Sequence, residues 1–175
     1  MLLIAAASCG SKDTTAREPA GQQQDIDEVR SLPPYNITDS LMQGSHKLVY
    51  TITGMPDDEL PIVVDEDGMK YKDNRYTLVI LKDGTPFFER SFTKADFKSQ
   101  LTPDFVEYGI MDGLHLESSK EGMLRFYLCV TYPESDGMTS PFVLTIAPDG
   151  SYRIDADTSF DEDIPAPTWA ADAND

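Results

Sequence analysis

Two Asp-Gly pairs, each set between runs of alternating apolar residues, constrain this chain more than any other feature. Asp83-Gly84 separates the run 75–82 from the run 85–92. An Asp-Gly pair supplies the positive φ angles of the favoured two-residue turn, so these runs fold back on each other as an antiparallel hairpin. Pro148-Asp149-Gly150 divides 142–147 from 151–155 in the same layout. Aligned on the Asp-Gly pairs, Leu78 matches Leu144 and Ile80 matches Ile146. An internal duplication explains that likeness, and so do two unrelated hairpins sharing the commonest turn chemistry.

Further strands follow from the same period of two. In 46–53, Leu48, Tyr50 and Ile52 alternate with Lys47, Val49 and Thr51, which marks one buried face. Residues 61–64 form a short strand, Asp65-Glu66-Asp67-Gly68 a polar turn, and 69–71 the return. The run 75–82 is apolar on both faces in its middle and belongs at the centre of a sheet. Residues 109–118 turn Leu114 and Leu116 inward, and Glu121-Gly122 leads into a strand with Leu124, Phe126, Leu128 and Val130 on one face and Cys129 on the other. Residues 133–139 read as a wide loop, and Pro141 opens the next strand, a place proline tolerates.

Two short helical turns break the series. Thr93 stands three residues before Asp96 as a capping threonine, and Pro103 after Thr102 occupies a first helical position. The expected class is mainly β: an antiparallel sandwich or partly closed barrel of six to eight strands with one or two short helical turns. At 175 residues one such domain accounts for the chain.

The ends have a different composition. Residues 10–40 are rich in Ser, Thr, Gln, Asp, Glu and Pro with little apolar periodicity, which predicts a flexible tether. Ahead of it, Leu2-Leu3-Ile4-Ala5-Ala6-Ala7-Ser8-Cys9 closes an apolar stretch in small residues just before a cysteine. That layout resembles a bacterial lipobox. The resemblance implies removal of residues 1–8 and a lipid on the Cys9 sulfur, so the implied partner is a membrane, the outer membrane, held through Cys9. Ala6 stands where that pattern most often has leucine, and no Lys or Arg precedes the apolar run. The expected organisation is a signal remnant over 1–8, a lipidated tether over 9–40, a β domain over 41–157 and an acidic mobile tail over 158–175, with Trp169 the tail's one large apolar anchor. With Cys9 lipidated, Cys129 has no partner for a disulfide and reads as a packed, inert thiol.

Charge excludes one class of partner. Fourteen Lys and Arg against 31 Asp and Glu give a formal net charge of -17, which repels a phosphate backbone, so nucleic acid is not expected. No run reaches the ~20 apolar residues of a membrane helix. The strand-and-turn pattern over Tyr76 to Phe92, Gly113-Leu114-His115-Leu116-Glu117, Leu124 to Pro133 and Phe142 to Ile154 resembles an uncharacterised family of small Bacteroidetes lipoproteins. The resemblance implies export and a β fold, and supplies no activity.

No constellation of residues stands out as an active site, and no cofactor is implied. Asp65 and Asp67, with Gly68 behind them, present alternate acids as a calcium loop does, but the distal ligands of such a loop are missing. Asp155, Asp157, Asp161, Glu162 and Asp163 form an acidic run suited to a hydrated cation or a basic partner, or to plain solvation. His115 and Glu117 share the face opposite Leu114 and Leu116, near enough for acid–base work or a shared metal, with His46 the only further imidazole. Three readings follow. The first is a non-enzymatic module binding an envelope protein or glycan by a strand edge or loop; the second is a carboxylate-based hydrolase acting on glycans; the third is a purely structural envelope protein.

Overall fold

The computed structural model describes residues 28–134 and 138–158. In chain order its elements are β1 (Val29–Arg30), β2 (Tyr35–Gln43), β3 (His46–Pro56), β4 (Val63–Val64), β5 (Lys70–Tyr71), β6 (Asn74–Lys82) and β7 (Thr85–Phe92). A 3-10 turn (Lys94–Phe97) and one helix, α1 (Pro103–Tyr108), precede β8 (Ile110–Lys120), β9 (Met123–Thr131), β10 (Thr139–Ile146) and β11 (Tyr152–Ala156). Hydrogen bonding sorts them into two four-stranded antiparallel sheets, in the orders β2-β3-β6-β7 and β11-β10-β9-β8. A small third sheet, β1-β5-β4, pairs β1 parallel and β4 antiparallel to the central β5.

The expected turn chemistry is present at the first Asp-Gly pair and not at the second, where Gly150 alone has a positive φ, 84°, and residues 147–151 separate the strands. Asp83 and Gly84 both have positive φ, 50° and 80°, and Glu121 and Gly122 repeat this at 54° and 80°. Both are the geometry that keeps a two-residue turn in step with strand twist. Thr93 and Asp96 form the reciprocal capping box over the 3-10 turn. Pro103 opens α1 behind Thr102.

The inward faces of the two large sheets meet in one core. Leu48, Ile52, Leu78 and Ile80 come from one sheet, and Leu124, Phe126, Phe142, Leu144 and Ile146 from the other. Tyr50 meets Phe126 edge to face with ring centroids 5.9 Å apart, and Phe97 of the 3-10 turn lies 4.6 Å from Phe142. No ladder joins the sheets among the described residues, so the fold is a β-sandwich and the barrel alternative falls away. A satellite cluster of Val63, Met69, Tyr71 and Ile110 packs the small sheet against the start of β8.

The ordered domain begins earlier than position 41. β2 runs from Tyr35 and pairs with β3 from Tyr35 opposite Gly54 to Gln43 opposite His46, so the expected tether boundary at residue 40 falls inside a strand. β2 is an edge strand whose side chains are nearly all exposed. Ladder hydrogen bonds hold it, with a hydroxyl pair between Thr38 and Thr51 at 2.9 Å. An exposed edge strand has no buried face and leaves no apolar alternation to read. Residues 9–27 of the expected tether and the tail from 159 lie outside the described residues.

A buried polar clamp joins the two sheets where β6 and β8 begin. Asp73 Oδ1 accepts the backbone N–H groups of Asn74 and Met111, both at 2.8 Å. Asn74 Nδ2 donates to the Met111 carbonyl at 2.7 Å. Lys94 Nζ donates to the Gly109 carbonyl at 2.6 Å and stands 3.9 Å from Asp73 Oδ2. Burial pushes the Asp73 carboxyl up, against the pull of its two N–H donors and Lys94, and pushes the Lys94 ammonium down against Asp73. Replacing Asp73 by alanine strips two buried N–H groups of their acceptor and leaves Lys94 without its counter-charge. We expect Asp73→Ala to cost roughly 3–5 kcal/mol, measured as the shift in urea-unfolding free energy. A loss below about 1 kcal/mol would show that water replaces the carboxylate there.

Candidate functional site

Strand β8 does not run straight. Met111 pairs with Val130 and Leu114 with Leu128, so Asp112 and Gly113 together face the single residue Cys129 in a bulge. Gly113 has a φ of +93°, which disfavours any side chain, and a Cβ there would stand 3.4 Å from the Cys129 sulfur. The bulge removes Asp112 from the in-and-out alternation of the strand and delivers it to the wall of a cavity of about 320 Å³.

Three segments build that cavity. Leu32, Pro33 and Tyr35 arrive with the approach to β2, Tyr76 from β6, and the bulge contributes Asp112 with Leu114 and His115 beyond it. Tyr76 is free to lie here because Gly54 stands opposite it in the ladder; a Cβ on Gly54 would come within 2.3 Å of its ring. Its hydroxyl takes the Gly113 N–H. The walls are therefore mainly apolar and aromatic, with a few convergent polar groups, which is the usual make-up of a ligand pocket.

The electrostatics of the cavity are one-sided. Burial pushes the Asp112 carboxyl up from its ordinary value, and among the described residues no hydrogen bond or ion pair engages that carboxyl. Apart from the exposed His115 imidazole, the titratable groups around it are acids. Burial raises Tyr76, Tyr127 and Cys129, and the Asp112 charge raises each further; the Cys129 thiol is pushed up to about 12. That value, with the thiol donating to the Asp112 carbonyl, makes Cys129 the packed and unreactive thiol expected of it.

The structure divides the other candidates. His115 lines the cavity and stacks on Tyr127 with centroids 4.9 Å apart, while Glu117 leaves for an ion pair with Arg125 at 3.0 Å. The two share a strand and do not act on one centre. His46 belongs to the other large sheet and bonds Asp83 at 2.6 Å, beside the Asp83-Gly84 turn. Asp65 spends one oxygen on its own turn, accepting the Asp67 and Met69 N–H groups at 3.0 and 2.8 Å. Asp65 and Asp67 border a second cavity of about 390 Å³ with Tyr108, Tyr132 and Glu134, and no cluster of three metal-ligating side chains forms among the described residues. Asp155 pairs with Arg153 at 3.0 Å. Asp161, Glu162, Asp163, Cys9 and Trp169 lie outside the described residues.

Asp112 is the residue that sequence reasoning missed. Its signal was the glycine beside it, because a glycine inside a strand pattern marks a bulge.

The model of a family described as Domain of unknown function (DUF4738) matches residues 16–154. The chain belongs to that family. No curated protein matches it. The DUF4738 match takes in both large sheets up to the middle of β11 and every residue of the cavity wall, so the site is built wholly from the family's domain.

The unengaged Asp112 carboxyl has a measurable signature. A carboxyl raised in the folded state binds more protons folded than unfolded between its ordinary and raised values, so its contribution to stability declines as pH rises through that window. Asp112→Asn escapes this. We expect the asparagine variant to match the native chain at about pH 4 and to become the more stable of the two towards about pH 8, read from paired urea titrations. An advantage for the native chain at the higher pH would mean that Asp112 has a stabilising partner.

Proposed function

We propose that this protein is a lipid-anchored, non-enzymatic binding module of the bacterial cell envelope, and that it holds its ligand in the cavity between β2 and β8. One observation carries the binding reading: a mainly apolar cavity whose wall holds a half-buried carboxyl with nothing bonded to it. A buried polar group in a folded protein is ordinarily satisfied, and one left open at a cavity wall is suited to a bond made on binding. The hydrolase alternative asks for two carboxyls converging in a cleft, and the described lining brings one.

The anchoring reading rests on the sequence. Ala6-Ala7-Ser8-Cys9 has the small residues and the cysteine of a lipidation site, and the likeness to small Bacteroidetes lipoproteins points to export by the same route. Among the described residues no helix is long and apolar enough to cross a membrane. A lipid at Cys9 requires none, and the 18 residues 10–27 would separate it from the described domain.

Both halves have direct tests. Intact-mass spectrometry of the membrane fraction should find the chain cleaved before Cys9 and carrying acyl chains, with both features lost in Cys9→Ala. An unprocessed chain in both samples removes the anchor. For the binding half, peptidoglycan fragments, neutral glycans and short peptides of either charge are titrated against the isotopically labelled full chain. At least one class should shift the Gly113 and His115 amide resonances, and silence from all of them refutes a ligand site here.

A further inference from the structure

We infer that the cavity takes an organic cation, a protonated amine or a guanidinium on an apolar or aromatic stem, whose charge sits on the Asp112 carboxylate between Tyr35 and Tyr76. The inference rests on the cavity being the binding site and goes on to specify what binds.

The first argument is what surrounds the carboxyl. Asp112 shares its neighbourhood with the Tyr76 and Tyr127 hydroxyls and the Cys129 thiol, all acids; among the described residues no Lys or Arg lines the cavity, and its one basic side chain, the exposed His115, is stacked on Tyr127. A carboxylate desolvated without a counter-charge is held at a cost, and a cation entering the cavity removes that cost while gaining a charge-assisted hydrogen bond. An anionic ligand would add a second negative charge to the same unrelieved site.

The second argument is the walls. Tyr35 and Tyr76 bring aromatic rings to the lining, and Leu32, Pro33 and Leu114 bring apolar surface. Ring faces attract ammonium and guanidinium groups, and the apolar surface accommodates the stem. The volume of about 320 Å³ lies at the small end for ligand sites, enough for one such group and its stem. The third argument is the field. The full chain's formal charge of -17 raises the local concentration of cations around it and disfavours anions.

The test uses matched probes on the labelled full chain: benzylammonium, benzyl alcohol and benzoate, followed through the Gly113 and His115 amide resonances. Benzylammonium should bind at least about tenfold more tightly than benzyl alcohol, with benzoate weakest. Asp112→Asn should bring benzylammonium and benzyl alcohol level. The comparison on the native chain stands even if the variant folds poorly. Equal affinity for benzylammonium and benzyl alcohol, a preference for benzoate, or a preference that survives Asp112→Asn overturns the cationic class and leaves the cavity as a site. No response to any probe, together with silence from the envelope panel, overturns the site as well. N-acetyl-lysine methylamide is titrated alongside as the second source of the same chemistry. Tighter binding than benzylammonium assigns the site to a basic side chain of a peptide, and weaker binding to a free amine.

Discussion

The clamp formed by Asp73 and Asn74 on Met111 fixes the geometry on which the rest of the molecule depends. Where a strand passes from one sheet to the edge of another its backbone leaves the ladder, and each buried N–H and carbonyl must find another partner. Asp73 satisfies the Met111 N–H and Asn74 its carbonyl, so two consecutive side chains at the head of β6 stand in for a neighbouring strand. Met111 is thereby held both by β6 and, through Val130, by β9. The two residues that follow have to bulge before Leu114 regains its register, and the bulge is what turns Asp112 towards the cavity. Lys94, reaching back to Gly109, secures the same junction from the 3-10 turn.

Energetically this junction is expensive. Asp73 and Lys94 are both shielded from water, and their separation of 3.9 Å is long for a bond that must offset two desolvated charges. The attraction between the two charges alone therefore contributes little net stability. What the ionised pair adds is direction: Asp73 reaches two particular N–H groups and Lys94 one particular carbonyl, and a hydrocarbon would specify neither. Placement of β8 against β6 therefore rests on the bonds of the clamp more than on net stabilisation.

Legibility in the sequence follows burial. Strands with one buried face were readable because Leu48, Tyr50 and Ile52, or Leu124, Phe126, Leu128 and Val130, repeat every second residue, and the turns between them carry the glycines that positive φ demands. The run 75–82, apolar on both faces, does occupy an inner position, between β3 and β7. β2 was not readable, since Tyr35 to Gln43 lie at an edge and owe their conformation to hydrogen bonds from β3 rather than to their own pattern. Nor could sequence separate His115 from Glu117. Their fates are decided by the facing strand, where Tyr127 stands opposite His115 and Arg125 near Glu117, and a second bulge after Leu116 shifts the register between them.

The matching hairpins acquire meaning from their places in the sheets. β6 with β7 and β10 with β11 close their respective sheets in the same order, third strand and edge strand of an antiparallel meander, and Leu78, Ile80, Leu144 and Ile146 all lie fully buried in the shared core. The two halves therefore face each other as similar four-stranded units. At one side their edges meet: Phe88 of β7 touches Tyr152 of β11 edge to face at 5.7 Å, and Arg90 lies over the same ring. At the other side the likeness fails. The first unit inserts β4 and β5 between its second and third strands, and β8 is drawn towards β6 by the clamp and bulges. β2 cannot close onto a bulged edge, because a ladder needs an unbroken run of alternating donors and acceptors on both strands. The gap that remains is the cavity, so the site lies where the resemblance between the two halves breaks down.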